Sequence, residues 1–262
     1  HYVLLNDIDL DPNLPGGRVF AQAVIAPYSK AFCGNGVPFT GSLDGRGHNV
    51  LNLIIHTDGT GWDVGLFGHI GERAVVRDLG IANASVSGGQ GYCGTLAGIN
   101  EGHISRCYAE SRVSAGSFTG VLVGYNDGEI LDCQAEGDVT AGTFVGGLVG
   151  ENGYGGVIVN SHASGGVVSL GTGNSSREVG GLVGQNYGDI VNCYATGDVS
   201  VSILAIVGGL VGANGGSIVN CHATGNVSAI RGSELGGLVG ENNGRIGHSY
   251  AIGDVSGETS MY

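Results

Sequence analysis

The run Val179-Gly180-Gly181-Leu182-Val183-Gly184-Gln185-Asn186-Tyr187-Gly188-Asp189-Ile190-Val191-Asn192-Cys193-Tyr194-Ala195-Thr196-Gly197-Asp198-Val199-Ser200 holds three short β-prone pieces. They lie around Leu182-Val183, from Ile190 to Ala195 and at Val199, separated by corners that contain glycine. Each corner needs a residue that tolerates positive φ, and Gly and Asn do so at least cost. No piece is long enough for an ordinary helix, and no 3.6-residue periodicity is present.

The pattern recurs on both sides. Gly-x-Asn is written six times, ending at Asn100, Asn126, Asn152, Asn186, Asn214 and Asn242, and successive Asn are 26, 26, 34, 28 and 28 residues apart. That period belongs to stacked repeat architectures. A single coil of this kind cannot bury its own apolar face, but coils stacked about 4.8 Å apart place like residues above like and build a continuous interior. The expected fold is all-β, a right-handed parallel β-helix (β-solenoid) with coils of about 26–28 residues, its hand taken from related folds. Its core columns are Leu96, Leu122, Leu148, Leu182, Leu210, Leu238, then Ile104, Ile130, Ile158, Ile190, Ile218, Ile246. A third column, Ala109, Ala135, Ala163, Ala195, Ala223, Ala251, admits only a small side chain, which predicts a tight interior corner.

Val64 to Ser87 reads as a degenerate copy without the Asn, and Phe39 to Ile55 as another coil. His1 to Leu10 reads as a strand, followed by an irregular loop with all but one of the four prolines. Residues 1–62 are therefore expected to form an N-terminal coil with a cap-like insertion, and residues 63–262 one continuous solenoid. The longest repeat carries its extra residues at Gly153 to Gly156 and at Ser169 to Arg177, both expected as surface loops.

Composition narrows the function. Fifty-four Gly without a strict three-residue period rule out collagen and make glycine positional. A net charge of −13, one lysine (Lys30) and nine scattered arginines argue against nucleic acid and anionic membranes as partners. No apolar run is long enough to span a membrane. The start at His1, already inside a strand-like run, suggests a chain processed or cut from something longer.

Gly-Gly-Leu-Val-Gly-x-Asn-x-Gly-x-Ile-x-Asn-Cys-Tyr-Ala-Thr-Gly-Asp-Val-Ser resembles the GLUG motif repeat of large bacterial extracellular and cell-surface proteins, with copies over residues 92 to 257. The resemblance implies an extracellular or cell-surface location. Proteins with such repeats include adhesins of the filamentous haemagglutinin type and immunoglobulin A metallopeptidases, in which the repeats accompany a separate catalytic domain. That peptidase chemistry needs a His-Glu-x-x-His zinc helix, which this sequence lacks.

Several columns are candidates for chemistry. Cys107, Cys133, Cys193 and Cys221 share a repeat position that Ser161 and Ser249 fill elsewhere, while Cys33 and Cys93 stand outside it. They are either stacked pairs near enough for disulfides or small core residues interchangeable with Ser. The next position, Tyr108, Gln134, His162, Tyr194, His222, Tyr250, is expected to face outward as a ladder of rings. Such a ladder could stack on sugars or a protein partner, or simply stabilise the sheet face. The Asn column is read as structural, bonding to turn backbone and along the axis. Asp138, Asp198, Asn226 and Asp254 cap turns or hold calcium between coils, the one metal considered. The sequons at Asn83, Asn174 and Asn226 are short enough to arise by chance. Arg106 and Arg112 near Glu110 form the nearest thing to a mixed charge cluster and read as solvated surface charges.

These readings predict a non-enzymatic extracellular stalk, adhesin module or filament subunit. Its partners would be copies of itself end to end, a larger parent chain, or surface glycans and proteins. The alternative is a carbohydrate-binding or polysaccharide-degrading β-helix. A binding or catalytic site requires a local break in repetition, which only the first 62 residues and the Ser169–Arg177 loop offer.

Overall fold

A computed structural model describes residues 1–27, 36–59, 61–169, 177–202, 204–230 and 233–258. These residues contain strands and turns but no helix, and the strands form four parallel sheets of nine, fifteen, seven and seven. The chain is a β-solenoid. Lys30, Cys33, the sequon at Asn174 and most of the Ser169–Arg177 loop lie outside the described residues.

One coil consists of strands Glu178–Gly180, Val183–Asn186, Asp189–Val191, Tyr194–Ala195 and Val199–Val201. The three expected pieces are thus five. Asn192, at φ 55°, breaks the run from Ile190 to Ala195 into two strands. Leu182 sits in the turn between two strands rather than within one, yet is fully buried.

The columns stack in register. Ile104 lies beside Ile130, Ile130 beside Ile158, and so on through Ile190 and Ile218 to Ile246. The alanines pair in the same way from Ala109 to Ala251. Backbone bonds of 2.8–3.0 Å run along the leucines, from the Leu96 amide to the Leu122 carbonyl and onward to Leu238. Leu122, Leu148, Leu182 and Leu210 have no exposed surface, and burying each contributes about 2 kcal/mol.

The alanine column is confined for a reason outside it. A Cβ placed on Gly181 would lie 3.0 Å from the Ala195 Cβ, so the glycine turn and the alanine meet across the coil. Gly212 is fixed by a closer approach, since a Cβ there would come within 2.5 Å of the Val179 amide nitrogen. A glycine within strand Val211–Asn214 therefore lets two sheets lie backbone against backbone.

At the N-terminus, residues His1 to Leu10 do not form one strand. They form Tyr2–Val3 and Ile8–Asp9, stacked on Leu43-Asp44 and Val50-Leu51. The first coil copies the path of the next, which turns a corner at Arg46 and Gly47, both at positive φ, and so it breaks where that coil breaks. In the copy that lacks the Asn, Ile70 occupies its place beside Asn100 and is fully buried. At the other end, Ile246 is 40% and Ile252 71% exposed, because the coil that carries them has a described neighbour on one side only.

Candidate functional site

The repeated Asn of Gly-x-Asn points inward. Asn100 Nδ2 donates to Asn126 Oδ1 at 2.7 Å, and the chain of amide bonds continues through Asn152, Asn186 and Asn214 to Asn242 at 2.7–2.8 Å. Each Nδ2 also donates to a nearby turn carbonyl, such as Gly128 from Asn126 and Gly188 from Asn186. All but Asn242 are buried, so every polar atom removed from water has a partner.

A second amide column faces outward, and sequence reasoning passed over it. Asp132, Asn160, Asn192 and Asn220 hold the left-handed corner, with φ between 52° and 56°. Asn160 donates to Asp132 at 3.0 Å, Asn192 to Asn160 at 3.1 Å and Asn220 to Asn192 at 2.7 Å. Its signal was the Asn immediately before Cys or Ser. The positive-φ duty expected of Asn falls on this column, not on the internal one.

Among the described residues the cysteines, Cys93, Cys107, Cys133, Cys193 and Cys221, are free thiols buried in the core. Sγ of Cys133, Cys193 and Cys221 each donates at 3.2 Å to the carbonyl two residues earlier, as Ser161 and Ser249 do through Oγ. Ser161, Cys193, Cys221 and Ser249 also accept an amide from the adjoining coil: the Ser161 amide donates to Cys193 Sγ, and the Cys133 amide to Ser161 Oγ. Cys and Ser interchange because both donate and accept here, which apolar filling alone would not require. The neighbouring Cys133 thiol and burial raise Cys107, and Cys221 and burial raise Cys193. Cys93, in another column, is pushed by burial to about 12.

Four rings of the outward ladder form one stack. His162 and Tyr194 are 4.5 Å apart, Tyr194 and His222 5.1 Å, and His222 and Tyr250 5.2 Å, with planes within 10° of parallel. Tyr194 thus separates the two histidines. Tyr108 stands apart beyond Gln134 and donates through its hydroxyl to Asn49 Oδ1 at 2.5 Å. Burial lowers the pKa of His162. A separate pair, Phe118 over Phe144, stacks at 4.5 Å on another sheet.

Asp138, Asp198 and Asn226 accept the amides of Gly166, Asn226 and Asp254 in the adjoining coil at 2.7–3.0 Å. Among the described residues no three His, Cys, Asp or Glu side chains converge as a metal site. Two buried carboxyls, Asp63 and Glu178, are raised by desolvation to about 7, Glu178 with further help from Glu241 and Glu151.

The supposed charge cluster divides. Arg106 pairs with Asp78 at 2.6 Å, whereas Glu110 and Arg112 line an open groove of about 510 Å³. Its near wall is the loop at Asp11 and Asn13, and its floor crosses successive coils through Ile54, Ser85 and Asp138. The strand Gly80–Ser87 carries one more residue than its partner between Ala109 and Ser111, with Asn83 in the left-handed region. The groove therefore lies where the N-terminal coils and the regular repeats differ in cross-section.

The GLUG motif matches at residues 175–200 and 205–228. The chain is similar to halomucin of Haloquadratum walsbyi, 44% identical over 66 residues that make up 25% of this chain and 1% of that protein. It is also similar to a protein of Evansella cellulosilytica described as a Gly-rich membrane protein, 36% identical over 114 residues, or 42% of this chain and 12% of that one. The chain thus spans a small part of the length of these curated relatives. No solved structure matches it. No helix of the described residues is long and apolar enough to cross a membrane.

Proposed function

Because the chain is a β-solenoid that carries GLUG-motif repeats, we propose that it serves as a non-enzymatic stalk of a cell-surface protein. The observation that carries this reading is the unbroken register of internal columns, above all the buried Asn ladder from Asn100 to Asn214. Coils that share core and hydrogen bonds with both neighbours make a stiff rod whose length grows with repeat number. The names of the two relatives, a mucin-like one and a membrane one, fit the same location. On this reading the apolar face around Ile246 and Ile252 receives a further coil, from a parent chain or another copy.

Immuno-electron microscopy of intact native cells, with an antiserum against this chain, tests the proposal. Label on the outer surface is the expected result, and label confined to the cytoplasm would refute it.

A further inference from the structure

The geometry points to the groove beside the N-terminal loop as a binding site for a neutral glycan strand lying parallel to the solenoid axis. This is independent of the stalk reading, since a rod inside or outside the cell could carry it.

Register fixes the direction of the groove. Ile54 lies beside Ser85, and Ser85 beside Arg112, in successive coils. Asp138, whose carbonyl accepts the Val113 amide at 3.0 Å, closes the far end. Three coil spacings make the floor about 14 Å long. The volume of about 510 Å³ falls within the roughly 300–1,000 Å³ of small-ligand clefts.

The near wall is preformed. Asp9 Oδ1 accepts the Asp11 amide at 3.0 Å and Asn52 Nδ2 at 2.7 Å, tying loop to floor, and Asp11 Oδ1 accepts the Asn13 amide at 2.9 Å. Glu110 and Arg112, two apart on one strand, project to the same outward side. Neither side chain has a hydrogen bond or ion pair among the described residues, so a strong acceptor and a five-donor fork stand ready in one groove.

That lining selects the ligand class. A sugar hydroxyl both donates and accepts, and Glu110 with Arg112 answers both needs, while Ile54 offers an apolar surface to a ring face. Asp11, Glu110 and Asp138 against one arginine, on a chain of net charge −13, repel uronates, sulfated sugars and phosphates. The same excess of carboxylates attracts cations, so a cationic peptide is the competing occupant, which the titration separates from a neutral sugar.

The test uses the whole chain, titrated by calorimetry and by amide chemical shifts with cellotetraose, laminaritetraose, mannotetraose, tetragalacturonate and tetralysine. At least one neutral tetrasaccharide is expected to bind, with shifts centred on Ser85 and Asn83. Arg112→Ala and Glu110→Gln are each expected to weaken that binding about tenfold or more without moving the melting temperature, as both side chains are exposed. No binding of a neutral tetrasaccharide at about 1 mM would overturn the inference. So would unchanged affinity in both variants, or tighter binding of tetragalacturonate or tetralysine than of every neutral sugar.

Discussion

Replacing Asn152 with alanine removes the acceptor of Asn126 Nδ2 and the donor to Asn186 Oδ1 in one step, inside a fully buried column. A buried amide that loses its partner costs about 1–3 kcal/mol, and two are affected, so Asn152→Ala should destabilise by about 3 kcal/mol in denaturant unfolding. Asn242→Ala, at the exposed end, should cost less than about 1 kcal/mol. Equal losses would mean that the ladder acts through something other than burial. Glu178 behaves differently because its environment favours the neutral form. Its pKa rises from 4.5 unfolded to about 7 folded, so between these values the folded chain binds more protons. Its contribution is full below the unfolded pKa and is lost as pH rises through about 7. Asp63 adds a slope of the same sign. The melting temperature should therefore fall from about pH 5 to about pH 7.5, and Glu178→Gln should flatten part of that fall. A variant with the wild-type slope would remove Glu178 from the account.

Strands and corners obey the same chemistry one level up. A corner residue such as Cys193 serves two coils, donating to Val191 at 3.2 Å and accepting the Ser161 amide. Cys193→Ser keeps both bonds and should change stability by less than about 1 kcal/mol, whereas Cys193→Ala should cost about 1–3 kcal/mol by orphaning an amide. In a Cys33→Ser background the five buried thiols should resist an aromatic disulfide reagent until the chain unfolds, since burial keeps the reagent from reaching them. Fast labelling of the native chain would contradict their placement. The Leu, Ile and Ala columns were legible because each position recurs with one chemistry. The split of Ile190 to Ala195 was not, because Asn192 interrupts an apolar run that reads as continuous. The groove was legible only as a place: repetition had to break near the N-terminus, but Glu110 and Arg112 look like any exposed pair until four coils and a loop surround them.

For the whole molecule, the physics is that of a one-dimensional stack in which each coil contacts only its neighbours. The coil that begins at Val179 lies in register with the one that begins at Val207, 28 residues later. Deleting residues 179–206 therefore joins Glu178 to Val207 and should restore every column, with Leu148 now bonded to Leu210 and Asn152 to Asn214. The shortened chain should fold with an unchanged β-sheet circular dichroism per residue. It should lose only the stability of one coil and its interfaces, seen as a lower denaturant midpoint. Deleting residues 179–205 instead leaves one residue too many. Because side chains alternate across a strand, that single-residue slip turns Val207 and its strand neighbours outward and strips the internal column of its next Leu and Asn. The second deletion should leave the C-terminal coils unfolded, with limited proteolysis removing them while the coils before Glu178 survive. Equal folding of the two deletions would show that register does not hold the stack together, and the rod would then owe its stiffness to something other than its columns.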